Sequence, residues 1–270
     1  PYESIYNSRH TLSTLRKNSN FLYQPNTVVT KIGESDDSVT LFYRGLGDTP
    51  SGTIKADRAF LACGILSTLQ IMAASTDLTK HNVTLSYPPY FLLPMLSLHN
   101  TRGVEHERLH TLSQLFIQIR NQEHPFGPVH ISLYSYNEIM RKRLEKVLSP
   151  LYSLSGFMKK QVLGRLFAAQ GYLESSSQNK INVNFKQSTN NEGPRIQLSA
   201  KLDAMTKRHI RDITRLLIKI CPQTGLLPIN LMLQLGIPGD GNHVGASFPM
   251  SRRREPITSD RFGRPHGFKR

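Results

Sequence analysis

The feature that most restricts the fold of this chain is a series of short segments in which apolar and polar residues alternate. These segments lie at 28–32, 39–43, 115–119, 129–133, 181–185 and 196–198. Alternation with a period of two is typical of strands that bury one of their faces. The polar residues Glu34–Ser38 separate the first two segments, so strands at Phe21–Ile32 and Val39–Tyr43 are predicted to form a hairpin.

Other apolar segments have helical spacing. The clearest one follows Asp203, a favourable N-cap residue, and it is stopped by Pro222. Its apolar residues repeat at helical intervals, at Ile210, Ile213, Leu217 and Ile220. Further helices are predicted at Tyr6–Arg16, at Ile65–Ala74, from Asn137 to about Leu148, and at Tyr152–Gln170.

Prolines and a short apolar run add two further secondary-structure predictions. Pro88, Pro89 and Pro94 are expected to break regular structure, and Ala59–Cys63 is predicted to be a strand. No apolar run approaches the roughly 18 residues that a membrane-spanning helix needs. The sequence therefore predicts an α+β protein whose middle part is an antiparallel sheet with flanking helices.

The chain is strongly basic, with 34 Lys and Arg residues against 19 Asp and Glu residues and a formal charge of +15. The basic residues concentrate in four stretches, Arg141–Lys146, Lys159–Arg165, Lys207–Lys219 and Arg252–Arg254. Three of these are predicted to be helix faces, which indicates a solvated surface. A basic module that binds nucleic acid or another polyanion is the alternative.

The two cysteines, Cys63 and Cys221, each stand beside apolar residues. This setting favours two buried free thiols over one disulfide. Free thiols fit a reducing compartment, so a cytoplasmic location is expected.

Two motifs match known patterns without the required context. Gly45–Pro50 has proline where a dinucleotide fingerprint needs its third glycine, and it lies between strands, which predicts a turn. His106, Glu107 and His110 match H-E-x-x-H, the zinc metalloprotease pattern. The residues after His110 alternate like a strand, however, whereas the zinc motif needs a continuing helix. A zinc site is therefore a minor alternative, and no metal is expected.

A third motif surrounds His243. It lies in a glycine-rich loop with Gly239, Gly241 and Gly245, and such glycines let a ligand or another backbone approach closely. A histidine in this setting could act as a general base near neutral pH. A surface-loop histidine is the alternative that the residues alone leave open.

Four stretches together carry a family resemblance. His243–Met250 resembles the active-site histidine signature of the glucose–methanol–choline (GMC) family of FAD-dependent oxidoreductases, and Thr258–Phe268 resembles the Asp, Gly-Arg and Gly residues that follow it. Val29–Ile32 and Ala59–Gly64 are similar to the middle part of the family's nucleotide domain. The order and spacing of these stretches are more specific than any one of them.

The resemblance implies a role for each matched residue. Val29 would lie beside the adenine, and the Ala62–Gly64 turn would lead into a helix. His243 would be the catalytic base. The residues implied to contact FAD are Val29, Ala62, Cys63, Gly64, Asn242 and Gly245.

The resemblance also implies three parts and an activity. Residues 1–74 would be a partial FAD-binding α/β domain, 75–235 the substrate domain, and 236–270 a return segment that carries His243. The family's N-terminal G-x-G-x-x-G motif and its second active-site His or Asn are not present, so the chain resembles a fragment that alone would hold FAD weakly. The expected reaction is oxidation of an alcohol, with sugar-like or polyol substrates expected, by hydride transfer to the flavin.

Overall fold

The computed structural model describes residues 6–104, 113, 115–120, 128–136, 156–175, 179–187, 193–240 and 243–269. Helices and antiparallel sheets build an α+β fold, which confirms the predicted class. The chain forms two compact units. The first comprises Pro1–His81, Phe185–Ile196 and Met250–Arg270, and the second comprises Asn82–Asn184 and Gln197–Pro249.

The first unit contains a three-stranded antiparallel sheet. Its strands are β1 (Thr27–Glu34), β2 (Val39–Gly45) and β3 (Gly52–Ala56), in that order across the sheet. The predicted hairpin is confirmed, with Ile32 opposite Leu41 and Glu34 opposite Val39. The turn after Gly45 joins β2 to β3, as expected for a motif that is not a dinucleotide fingerprint.

Besides a 3-10 turn at Asp77–Lys80, the described residues of this unit include two α-helices, α1 (Ser8–Leu15) and α2 (Ile65–Ser75). Both were predicted within a residue or two. Helix α2 packs on β1, and the Ser75 hydroxyl accepts a hydrogen bond of 2.8 Å from the Ile32 amide. The buried side chains Leu69, Ile71 and Met72 anchor the helix.

Two strand predictions in this unit are wrong. The first strand begins at Thr27, so the residues from Phe21 to Asn26 are not part of it. Ala59–Cys63 is not a strand: the segment forms no ladder in the described part of the chain, and Phe60 is 90% exposed. A short apolar run does not form a strand by itself, because a strand needs a neighbouring strand to complete its backbone hydrogen bonds.

The second unit is built on a curled antiparallel sheet. Its strands are β5 (Tyr90–Ser97), β6 (Leu115–Ile119), β7 (Val129–Ser135), β8 (Leu166–Tyr172), β11 (Leu226–Pro228) and β12 (Gln234–Leu235). Their order across the sheet is β11-β5-β8-β7-β6, and β12 also pairs with β5. A smaller sheet, in the order β10-β9-β4, comprises β4 (Val83–Ser86), β9 (Lys180–Lys186) and β10 (Arg195–Ala200).

The described residues of this unit also include two α-helices, α3 (Gly156–Leu163) and α4 (Ala204–Ile220), and two 3-10 turns, at Cys221–Thr224 directly after α4 and at Asn230–Met232. Asp203 caps α4 as predicted, because its carboxylate accepts a hydrogen bond of 2.8 Å from the Thr206 amide. The helix buries Ile210, Ile213 and Leu217. The helix predicted after Asn137 lies outside the described residues.

Pro94 corrects the expectation that prolines break this region, since it lies inside β5. Its carbonyl accepts a hydrogen bond from the Ile229 amide at 2.8 Å. In an antiparallel strand the nitrogen of a residue faces the same side as its carbonyl. The Pro94 nitrogen, which carries no hydrogen, therefore faces the gap between β11, which ends at Pro228, and β12, which begins at Gln234.

The helix predicted at Tyr152–Gln170 is wrong in its second half. Helix α3 ends at Leu163, and Leu166–Tyr172 forms β8 in the centre of the sheet. This strand pairs with β5 on one side and β7 on the other. Tertiary pairing thus overrides a sequence whose two alanines favour a helix.

The cysteine prediction is half right. Both thiols are free, as expected. Cys221 is buried, and burial raises the pKa of its thiol. Cys63, however, is exposed, because the segment around it lies on the surface.

Candidate active site

The two faces of the curled sheet differ in chemistry. Residues opposite each other in an antiparallel pair share a face, as do residues two apart in one strand. One face packs against α4 and forms the core, with Phe91, Leu93 and Met95 from β5, Ile131 and Leu133 from β7 and Ala169 from β8. We call the other face the aromatic face. It carries Tyr90, Phe116, Gln118, His130, Tyr134, Gln170 and Tyr172, and toward the Leu96 end of β5 it also carries the apolar residues Leu92, Pro94, Leu96, Leu166 and Ala168.

Aromatic side chains form a row across this face. Tyr172 of β8 lies opposite Tyr90 of β5 and also opposite His130 of β7. The Tyr90 and Tyr172 ring centroids are 5.9 Å apart, and those of Phe116 and His130 are 4.9 Å apart. Adjacent strands lie about 4.8 Å apart, so a row over four strands extends about 14 Å.

The side chains of this row are accessible to different degrees. His130 is exposed and Phe116 is 53% exposed, whereas Tyr90 and Tyr172 are half-buried. The Ser132 hydroxyl lies 3.4 Å from His130 Nε2. The face therefore combines flat apolar rings with polar groups that a ligand can reach.

His243 contacts the row at Tyr172, which lies between Tyr90 and His130. Its ring meets that of Tyr172 edge-on, with centroids 5.5 Å apart and planes at 78°. This T-shaped arrangement is a favoured geometry for aromatic pairs. Tyr172 contacts the imidazole on one side. The imidazole is otherwise exposed, so a ligand can reach it.

Backbone hydrogen bonds fix the segment that carries His243. Gly245 forms an isolated antiparallel bridge with Ser86 at the end of β4. The Ser86 amide donates to the Gly245 carbonyl at 2.9 Å, and the Gly245 amide donates to the Ser86 carbonyl at 2.8 Å. Ala246 follows with φ 60°, a left-handed conformation that is uncommon for alanine. The backbone near His243 is thus fixed by the hydrogen bonds that Gly245, two residues further along the chain, makes with Ser86.

A glycine lets the same segment pass close to Tyr90. The Gly236 amide donates to the Tyr90 carbonyl at 2.8 Å, which continues the pairing of β12 with β5. A β-carbon at Gly236 would collide with the Tyr90 ring. This close approach is a packing reason for glycine at position 236.

A basic group lies beside the bridge. Lys180 of β9 pairs in register with Ser86, and its ammonium donates to the Ser86 hydroxyl at 2.5 Å. Lys180 is half-buried. The strand end that holds the histidine segment therefore also carries a positive charge.

Burial raises the pKa of the Tyr172 hydroxyl, and the neighbouring Tyr134 and Tyr90 raise it further. A tyrosine with a raised pKa stays neutral over the physiological range. Its hydroxyl can therefore donate a hydrogen bond to a ligand oxygen or accept one from a ligand hydroxyl.

The residues predicted to contact FAD fall into both units. Val29 and Ala62–Gly64 belong to the first unit, whereas Gly245 and the catalytic candidate His243 belong to the second. Asn242 lies outside the described residues, as do His106, Glu107 and His110. His243 and Gly245 occur together in one fixed segment.

The resemblance implies that the first-unit residues would contact part of FAD. Gly64 has φ 81° and directly precedes α2, and no side chain caps the first turn of that helix. Its amide groups suit a phosphate, and a β-carbon on Gly64 would meet nothing within 4 Å. Val29 lies in β1, which is an edge strand of the described three-stranded sheet. If FAD binds this unit, Val29 would lie beside the adenine, as the resemblance implies.

The Asp and Gly-Arg residues that resemble the family signature form a tight turn in the first unit. Asp260 accepts hydrogen bonds from the amides of Arg264 at 3.0 Å and Phe262 at 2.8 Å. The Arg264 hydrogen bond is the main reason that the pKa of Asp260 is lowered. His266 is half-buried, with Nε2 3.2 Å from the Ser251 carbonyl oxygen. Both side chains have local structural roles.

Sequence reasoning missed the aromatic row. Tyr90 follows the prolines that were expected to break the chain, and Tyr172 follows a segment predicted to be helical. The available signal was parity: β6 has Phe116 and Gln118 at even positions between apolar residues, β7 alternates in the same way from Val129 to Tyr134, and β8 follows only at Gln170 and Tyr172. That parity identifies a face but not which rings meet.

No protein-family model matches the chain, and a search of curated proteins found no significant match. The resemblance to the GMC family therefore stays a prediction. Among the residues that the structure describes, no group of three or more His, Cys, Asp or Glu could hold a metal ion. Within the same ranges, no helix has both the length and the hydropathy needed to cross a bilayer.

Proposed function

We propose that this chain is part of an FAD-dependent oxidoreductase that oxidises the CH–OH group of a sugar-like or polyol substrate. The observation that carries the proposal is the contact of the exposed His243 imidazole with Tyr172 on the aromatic face. A general base needs a defined position and access to its substrate, and His243 has both.

The aromatic face supports this substrate class. A sugar-like molecule has apolar C–H surfaces and a polar rim of hydroxyl groups. The rings of Tyr90 and Tyr172 suit the C–H surfaces, whereas Gln118, Gln170 and the tyrosine hydroxyls suit the rim. Ligand sites commonly combine apolar walls with a few polar groups that orient the ligand.

His243 would take the hydroxyl proton on a ring nitrogen as the alcohol becomes a carbonyl compound. The chemistry that bound FAD supplies is acceptance of the carbon-bound hydrogen as a hydride, with both electrons. Tyr172 positions the imidazole through the edge-on contact, and the Ser86–Gly245 bridge holds the backbone.

His243→Ala in the intact flavoprotein tests the proposal. We expect flavin reduction by substrate to slow about 10²–10⁴-fold in anaerobic single turnover, because a positioned general base contributes about that much. The flavin should stay bound. His266→Ala is the matched control, since His266 makes a local contact with Ser251, and it should reduce its flavin at nearly the wild-type rate.

Two outcomes contradict the assignment. Reduction of the His243→Ala flavin at the wild-type rate would show that another group accepts the proton. Loss of flavin binding in this variant would show that His243 is structural. An intact protein with no bound flavin in its visible spectrum would refute the whole proposal.

A further inference from the structure

Helix α4 presents a basic stripe on the side opposite the core. Its 17 residues, Ala204–Ile220, include five Lys or Arg residues and one acidic residue, Asp212. At about 100° per residue, Arg208, Arg211, Arg215 and Lys219 fall within about 80° of each other around the helix. All four are exposed.

The stripe is long and carries little internal neutralisation. From Arg208 to Lys219 the helix rises about 16 Å at roughly 1.5 Å per residue. Arg215 pairs with Asp212 at 2.8 Å, and this helix has no second carboxylate for the other three cations. The opposite side of α4 is committed to the core, where Ile210 and Leu217 are fully buried.

Exposed aliphatic side chains flank the stripe on both sides. Ile218 lies on one flank and Leu216 on the other, each 39% exposed, and Met205 is 51% exposed. Aliphatic groups beside cations suit the boundary between lipid headgroups and acyl chains. They offer nothing to a nucleic-acid backbone, and the helix has no Phe, Tyr or Trp on which bases could stack.

We propose that this face of α4 docks on an anionic lipid bilayer. The helix would lie parallel to the membrane surface with its basic stripe toward the headgroups. Each Lys or Arg near an anionic membrane surface strengthens binding by about fivefold. Leu216 and Ile218 would add apolar contacts at the edges of the stripe. The inference does not depend on the proposed oxidoreductase activity.

Vesicle flotation with the full-length protein tests this docking. We expect binding to vesicles of phosphatidylcholine with phosphatidylglycerol and little binding to phosphatidylcholine alone. The variant R208Q/R211Q/K219Q should bind the anionic vesicles about 100-fold more weakly, because three cations are removed. Binding should also weaken as salt is raised, since exposed charges are screened beyond about 10 Å at 0.1 M ionic strength.

A matched control separates the stripe from net charge. R252Q/R253Q/R254Q removes three exposed positive charges elsewhere in the chain and should change vesicle binding by less than about fivefold, the effect of one cation at the surface. L216S/I218S keeps every charge and should weaken vesicle binding while leaving any DNA binding unchanged. Circular dichroism and thermal unfolding check that each variant is folded.

Three results would overturn the proposal. The first is wild-type vesicle binding by R208Q/R211Q/K219Q. The second is an equal loss in R252Q/R253Q/R254Q, which would indicate a general charge effect. The third is tighter binding to duplex DNA than to anionic vesicles at the same salt concentration, which would identify α4 as a nucleic-acid interface.

Discussion

The two faces of the curled sheet use the same strands in different ways. On the face toward α4, Phe91, Leu93 and Met95 are completely buried and belong to the hydrophobic core cluster. On the aromatic face, the alternate residues Tyr90, Tyr172 and His130 stay partly or fully accessible and carry polar groups. A shift of one residue in strand register would exchange the two sets, so register fixes both the core and the candidate site.

Truncating one residue on each face should give the largest contrast in stability. Phe91→Ala removes a completely buried ring from the core and should lower the free energy of unfolding by about 3–5 kcal/mol. Tyr90→Ala, one residue away, should cost clearly less, because its ring is only half-buried. Urea denaturation of both variants measures the difference. Equal losses would mean that the aromatic face is also a structural core.

Asp203 tests how much the N-cap of α4, the helix that packs on the core face, contributes to stability. Its carboxylate caps α4, so Asp203→Ala should lower the free energy of unfolding by about 1 kcal/mol. Desolvation by burial acts to raise the pKa of this carboxyl, but hydrogen bonds from the Thr206 side chain and amide lower it overall. The stabilisation by the charged cap is therefore present above the unfolded pKa of about 4 and is lost as pH falls through the lower folded value.

Asp203→Asn separates the cap from its charge. Asparagine is a good N-cap residue that does not titrate, so this variant should keep most of the stability at neutral pH. Its unfolding free energy should fall less than that of the wild type between about pH 4 and pH 2. Parallel acid-induced losses in both proteins would show that the Asp203 charge contributes nothing to stability.

Local signals explain which parts of the fold were predictable. The β1–β2 hairpin has a polar turn and clear alternation, and α4 has a cap, an apolar stripe and a proline stop. β8 has no such signal: its Ala168 and Ala169 favour a helix, and only pairing with β5 and β7 makes it a strand. The error at Ala59–Cys63 is the opposite one: this apolar run was predicted to be a strand, but it pairs with no neighbouring strand among the described residues.

The candidate site was predictable only in part, for a related reason. His243 stood out because of its glycine-rich loop and its resemblance to a family signature. The rings of the aromatic row, of which Tyr172 contacts His243, come from positions 90, 116, 130 and 172, which lie far apart in the sequence. Their meeting depends on the register of four strands, and no single strand contains that information.

The smallest effect is expected for Tyr172→Phe, which keeps the ring against His243 and removes only the hydroxyl. The free energy of unfolding should change by less than about 1 kcal/mol, because a half-buried hydroxyl contributes at most one modest hydrogen bond. Substrate affinity should fall about two- to tenfold if that hydroxyl binds a substrate hydroxyl, since a hydrogen bond contributes about 0.5–1.5 kcal/mol. The rate of flavin reduction at saturating substrate should stay near that of the wild type. Single-turnover reduction across a substrate concentration series separates the two parameters. A large fall in the saturating rate with unchanged affinity would mean that the Tyr172 hydroxyl takes part in proton transfer, and the division between a binding face and a single base would then be wrong.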